Sequence, residues 1–220
     1  DYIEKLFVAS THHTLLFFTE MGRCFWLKVY EIPEGDKTSK GRALQNMIQI
    51  PPDDKVRAII DVKSLEDEDY VNNHYIVLCT KQGIINKSRL KDFSRPRQNG
   101  INAITIKEGD QLLEAKLTDG NCEIMMAVKS GRAIRFPELK VRPTGRGGIG
   151  VAGIDVDDAT DEVVGMVCVN VEDKTKTVLV VSANGYGKRT FLDDPETGEA
   201  NYRITNRGGK GVKTISVTAK

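Results

Sequence analysis

No apolar run in the 220 residues approaches the roughly 18 residues that a membrane-spanning helix requires. The opening Asp1-Tyr-Ile-Glu-Lys5 has neither the charge order nor the apolar stretch of a secretory signal, so a cytoplasmic location is expected. Cysteine is scarce. Cys24, Cys79, Cys122 and Cys168 stand 55, 43 and 46 residues apart with no C-x-x-C pair, which argues against zinc ribbons and a disulfide framework. They read as buried or half-buried strand residues. The three histidines, His12, His13 and His74, include an adjacent pair whose side chains would leave a strand on opposite faces, so they suit a solvated turn better than a shared metal. No metal or cofactor is expected. No nucleophile–base arrangement or carboxylate pair stands out, which argues against an enzyme.

What is present begins with glycine. Thr144-Gly-Arg-Gly-Gly-Ile-Gly150 has Gly145, Gly147 and Gly150 at the spacing of a dinucleotide fingerprint. That loop holds a phosphate only where a helix follows and offers its N-terminal N–H groups. Here Val151-Ala-Gly-Ile-Asp-Val156 follows, alternating like a short strand, and a nucleotide loop is rejected.

The net charge of +1 conceals segregation. Lys81–Lys107 carries seven basic residues and one acidic, and Lys129–Gly150 six and one. Asp53–Tyr70 has seven acidic and three basic, and Asp155–Glu162 five acidic and none basic. One basic edge and a separate acidic edge are expected.

The order of pieces recurs four times, in units of approximately 3–52, 55–107, 111–156 and 162–218 within a single domain spanning 1–220. Each unit reads as four short strands: KLFVAS, TLLFFTE, RCFWLKVYEI and KGRALQNMIQI in the first, NGINAITI closing the second, GIGVAGIDV the third and KGVKTISV the fourth. Gly22, Gly83, Gly131 and Gly185 follow the second strand, where a tight hairpin needs positive φ; Gly41, Gly100, Gly150 and Gly211 open the fourth. Repeated four-stranded units without helices predict an all-β, propeller-like array of blades.

Basic residues gather on the third strand of each unit and on the loop into the fourth: Lys40 and Arg42; Lys87, Arg89, Arg95 and Arg97; Arg132, Arg135, Arg142 and Arg146; Lys188, Arg189, Arg203, Arg207 and Lys210. Recurrence in register would build a curved positive belt able to neutralise duplex phosphates without reading bases.

The segment Phe17-Phe-Thr-Glu-Met-Gly-Arg-Cys-Phe-Trp-Leu-Lys-Val-Tyr-Glu-Ile-Pro33, with Lys40-Gly-Arg-Ala-Leu-Gln-Asn-Met-Ile48, resembles the C-terminal region of the bacterial DNA gyrase A protein, and the resemblance extends over the whole chain. It implies a β-pinwheel, a propeller variant whose neighbouring blades exchange strands, six blades in the family. It implies a non-catalytic domain that wraps double-stranded DNA around its basic rim. The partners implied are DNA and the remainder of gyrase A together with gyrase B, with the catalytic tyrosine and ATPase elsewhere. The family's signature box, Gln-Arg-Arg-Gly-Gly-Lys-Gly in the first blade, has no complete copy here. Arg207, Gly208, Gly209, Lys210 and Gly211 match its last five positions, with Thr205 and Asn206 before them. By order the units resemble blades two to five, so the chain is expected to bind DNA yet wrap it poorly.

Two alternatives remain. The C-terminal domain of topoisomerase IV resembles this pattern but carries degenerate boxes. A propeller scaffold for protein partners would need hot spots on its face; its best candidate, Trp26, is expected to pack between blades.

Overall fold

The computed structural model describes residues 3–156, 159–173 and 175–217. Among the described residues fourteen strands are formed: β1 (Thr14–Thr19), β2 (Arg23–Lys28), β3 (Val56–Val62), β4 (Tyr75–Thr80), β5 (Ile84–Arg89), β6 (Ile101–Asn102), β7 (Leu112–Thr118), β8 (Cys122–Val128), β9 (Arg132–Pro137), β10 (Val151–Ala152), β11 (Val163–Asn170), β12 (Thr177–Val181), β13 (Gly187–Phe191) and β14 (Val212–Lys213). They make three antiparallel four-stranded sheets, ordered β3-β1-β2-β6, β10-β5-β4-β7 and β11-β8-β9-β14, and the two-stranded β12-β13. The all-β, blade-based architecture expected from the repeats is present.

The blade is not the sequence repeat. Each four-stranded sheet has the hairpin of one unit at its centre, the first strand of the next unit along one edge and that unit's fourth strand along the other. Neighbouring units therefore exchange strands.

Strands β1, β4 and β8 of the first three hairpins are sandwiched, and this explains their continuous apolar runs, whereas β12 and β13 are largely exposed. In β4, Ile76 and Leu78 enter a cluster with Leu16, Phe18 and Ile60 of the first sheet. Val77 and Cys79 point the other way, into a cluster with Ile124, Met126 and Phe136 of the third. The outer face of the first sheet packs Leu15, Phe17, Phe25 and Leu27 against Ile48 and Ile50. Trp26 is half-buried against the first cluster and donates from Nε1 to Phe93 O at 3.0 Å, so it packs between blades as expected.

Glycine does more than turn the hairpin. Gly22, Gly83 and Gly131 have φ of 83°, 85° and 88°. A Cβ there would collide with the carbonyl oxygens of Ile104, Ile154 and Ile215 from the next unit. Each glycine carbonyl accepts two successive amides from that segment: Ala103 and Ile104, Gly153 and Ile154, Thr214 and Ile215. The ladder ends at these paired hydrogen bonds, and β6, β10 and β14 are only two residues long. Much of the acidic charge beside the turns is structural. The Oδ1 atoms of Asp54, Asp110 and Asp161 accept from Met21, Gln82 and Ser130 N respectively, and each also takes the amide of its own successor.

Several local expectations fail. Residues 5–10 form no strand, because the described residues include no preceding hairpin to receive it. KGRALQNMIQI forms a 3-10 turn at Leu44–Asn46 instead of a fourth strand. Gly41 accordingly has no positive φ and no close neighbour, unlike Gly100, Gly150 and Gly211. A six-residue helix, α1 (Glu68–Asn73), interrupts the second unit; Asp67 caps it by accepting from Tyr70 N at 3.1 Å. The four cysteines are free and lie on strands, with Cys24 and Cys79 buried.

Candidate nucleic-acid interface

Because β6, β10 and β14 pair with β2, β5 and β9 in the same manner, the loops that precede them occupy equivalent places in successive blades. These loops carry Arg95 and Arg97, then Arg142 and Arg146, then Arg203, Arg207 and Lys210. All but Arg207 are exposed. The loops are latched to the preceding blade by backbone: Gly147 N donates to Ala103 O at 2.8 Å, and Gly208 N to Gly153 O at 2.7 Å. Gly147 and Gly208 have φ of 83° and 81°, which makes glycine the natural residue at that hook. Thus the near-fingerprint 145–150 is an inter-blade latch followed by the short strand β10.

A groove runs beside each loop. Arg97 lines one with Pro96 and Gln98 opposite Gln45–Gln49; Lys140, Arg142 and Arg207 line a second; Arg203 and Lys210 line a third. Lys140 is not among the sequence candidates. Its signal is its place in the 3-10 turn Glu138–Lys140 directly after the third strand of its unit; Lys91 lies one position earlier in the corresponding turn Leu90–Phe93. Lys91, however, is paired with Glu68 at 3.1 Å, and that hydrogen bond holds the Glu68 carboxyl below its usual range.

The other candidates divide. Arg89 is exposed at the end of β5, and Lys188 and Arg189 are exposed on β13. Lys40 and Arg42 are exposed, but no strand follows them to bring them into the equivalent series. Arg132 is half-buried; its Nη1 donates to Lys210 O at 3.2 Å and its Nη2 faces Asp161 at 3.9 Å. Arg23, absent from the sequence candidates, does the same job two sheets earlier: Nη2 donates to Asn99 O at 2.6 Å.

Lys87 and Arg135 leave the rim altogether. Lys87 is 3% exposed, 2.9 Å from Glu138 Oε1, with its ammonium over the Tyr75 ring. Arg135 is 5% exposed; Nε donates to Glu123 at 2.6 Å and Nη1 to Asp193 at 2.8 Å and Tyr202 O at 3.0 Å. Burial by itself would lower the Arg135 pKa, but the bonds to Asp193 and Glu123 hold it above its ordinary value. A buried, fully paired cation offers nothing to a phosphate.

Asp119, Cys122 and Glu138 place one ligand atom each within 4.8 Å of one another. Their chemistry does not suit a cation. Glu138 already accepts from Thr118 Oγ1, Cys122 N and Lys87 Nζ, and burial pushes the Cys122 thiol up to about 11.

Residues 13–63, 74–119, 123–170, 176–194 and 197–220 match the family model described as the DNA gyrase C-terminal domain, a β-propeller. The first three stretches each begin near a hairpin and end at the strand exchanged from the next unit, as the sheets do. The DNA gyrase A protein of Staphylococcus aureus (strain NCTC 8325 / PS 47) is 41% identical over 220 residues, which is 100% of this chain and 23% of that relative. The chain thus spans about a quarter of the length of the relatives it matches. The crystal structure of the C-terminal domain of DNA topoisomerase IV aligns with a TM-score of 0.77 and 26% identity over 92% of this chain and 58% of that one. The DNA gyrase A C-terminal domain structure aligns at 0.70 and 24% over 93% and 60%.

Proposed function

The chain belongs to the DNA gyrase C-terminal domain family, and from that membership we propose that it binds duplex DNA through its basic rim and bends it along successive blades, without chemistry of its own. The observation that carries this reading is the equivalence of the loops at 94–100, 141–150 and 203–211, each presenting exposed cations beside a groove. A row of such loops neutralises phosphates at repeated steps and so offsets the elastic cost of bending, on the order of 1–6 kcal/mol for a 20–30 base-pair site. None of the candidate cations sits on a helix that could enter a major groove, which supports recognition independent of sequence. In this reading the whole protein is cytoplasmic and is the A protein of a gyrase. The rest of gyrase A, together with gyrase B, supplies strand passage and ATP hydrolysis.

The incomplete box at Thr205–Gly211 favours a second reading, in which the rim binds DNA but contributes little wrapping. Anisotropy titration of a labelled duplex at two salt concentrations tests the binding, and a flat salt response refutes it. Plasmid relaxation in the presence of the chain separates the two readings. A large positive linking shift per bound molecule supports wrapping; saturable binding with no shift supports the second reading.

A further inference from the structure

The two Arg-Gly-Gly loops have the same backbone. Thr144 N donates to Lys87 O at 3.0 Å and Thr205 N to Arg135 O at 2.9 Å, and the hooks of Gly147 and Gly208 repeat as described. Arg146 and Arg207 therefore leave the chain at equivalent points, yet they meet different surroundings. The Arg207 guanidinium is tied down: Nε donates to Lys140 O at 3.1 Å and Nη1 to Ala152 O at 3.0 Å. Arg146 is exposed and has no hydrogen bond or ion pair among the described residues.

The difference traces to one position in the preceding unit. Thr105 N donates to Gly148 O at 3.1 Å, and its equivalent, Asp155 N, donates to Gly209 O at 2.9 Å. Thr105 also has a hydroxyl, which donates to Gly147 O at 2.7 Å and fastens the first loop a second time. A carboxylate is acceptor-only when ionised, so Asp155 cannot supply that bond to Gly208. In the second loop the guanidinium of Arg207 provides the missing fastening. Asp155 also sets a negative charge beside that loop, where a phosphate would be disfavoured.

We infer that Arg146 is a DNA-phosphate contact whereas Arg207, at the equivalent point, is a positioning residue that fastens its loop to the neighbouring blade. The Arg146 assignment rests on the DNA-binding reading above; the Arg207 assignment does not.

The test uses the 220-residue chain and the variants Arg146→Ala, Arg146→Lys, Arg207→Ala and Arg207→Lys, each measured by duplex anisotropy across a salt series and by urea unfolding. For Arg146→Ala the log–log salt slope should shrink by about one, with affinity at 0.1 M salt down roughly tenfold on any sequence and the urea midpoint unchanged. Arg146→Lys should keep the slope. Arg207→Ala should keep the slope within about half a unit while the urea midpoint falls. Arg207→Lys, whose single ammonium cannot reproduce the guanidinium bridge, should also unfold earlier with the slope retained, and it keeps the question answerable if the alanine variant does not fold. A slope reduction of about one in Arg207→Ala at an unchanged midpoint overturns the positioning role. Loss of stability in Arg146→Ala without loss of slope overturns the contact. If the unmodified chain does not bind duplex, the functional reading falls together with the Arg146 assignment, and the urea midpoints still decide Arg207.

Discussion

Reversing two charges on one loop, Arg142→Glu together with Arg146→Glu, isolates the rim from the fold. Both side chains are exposed and neither has a hydrogen bond or ion pair among the described residues, so nothing in the folded state depends on them. Surface changes of this kind shift stability by within about 0.5 kcal/mol. Their effect on binding should be much larger. If the rim meets about six phosphates, the log–log salt slope is about −5.4 and affinity drops roughly 10³-fold between 50 and 200 mM salt. Losing two contacts reduces the slope to about −3.6 and lowers affinity at 0.1 M by about 100-fold, and repulsion by the new carboxylates adds to that loss. The assay is duplex anisotropy over a salt series, paired with thermal unfolding. A variant that keeps the wild-type slope would remove these arginines from the interface. One that loses binding and melting temperature together would show that the loop is a strut.

Lys87→Met should destabilise by about 3–5 kcal/mol in urea unfolding while leaving the salt slope unchanged, because it strands Glu138 in the interior without its cation. A reduced slope with normal stability would return Lys87 to the rim. Gly131→Ala should cost more than Gly185→Ala by chemical denaturation: both glycines have strongly positive φ, about 1–2 kcal/mol for a side chain, but only Gly131 has a carbonyl where the Cβ would go. Equal costs would refute the close-approach argument. Burial holds the Cys24 thiol well above its ordinary range and pushes Cys122 up to about 11 and Cys168 up to about 12. Iodoacetamide at pH 8 should therefore label the folded chain at least about 100-fold more slowly than the chain in urea. The neutral thiol is the favoured folded form, so the contribution is complete below about pH 8.5 and stability declines as pH rises towards 11. Labelling at equal rates in the two states would contradict this.

The hairpins, their glycine turns and the fourfold recurrence were legible in the chain because they are local: an apolar run, a residue free to take positive φ, and an apolar run. Their order along the sequence also located the loops that carry the rim arginines. Strand partnership was not legible from the pattern of residues alone. A short β segment such as Val56–Val62 has a face that suits its own unit's hairpin as well as the preceding one, and only the backbone path, with Glu20 N donating to Lys55 O at 2.8 Å, selects the neighbour. The helix at Glu68–Asn73 leaves no trace in the pattern because a single capped turn is too short to establish a period. Charge shows the same division most clearly. The sequence determines that Lys87 and Arg135 are cationic. The fold decides whether water or protein surrounds them, through carboxylates 51 and 58 residues away, and a cation enters an interior only where such partners have been brought to it. The same holds for Arg146 and Arg207, alike in sequence context, whose fates separate at the hydroxyl of Thr105 and the carboxylate of Asp155 in the preceding unit.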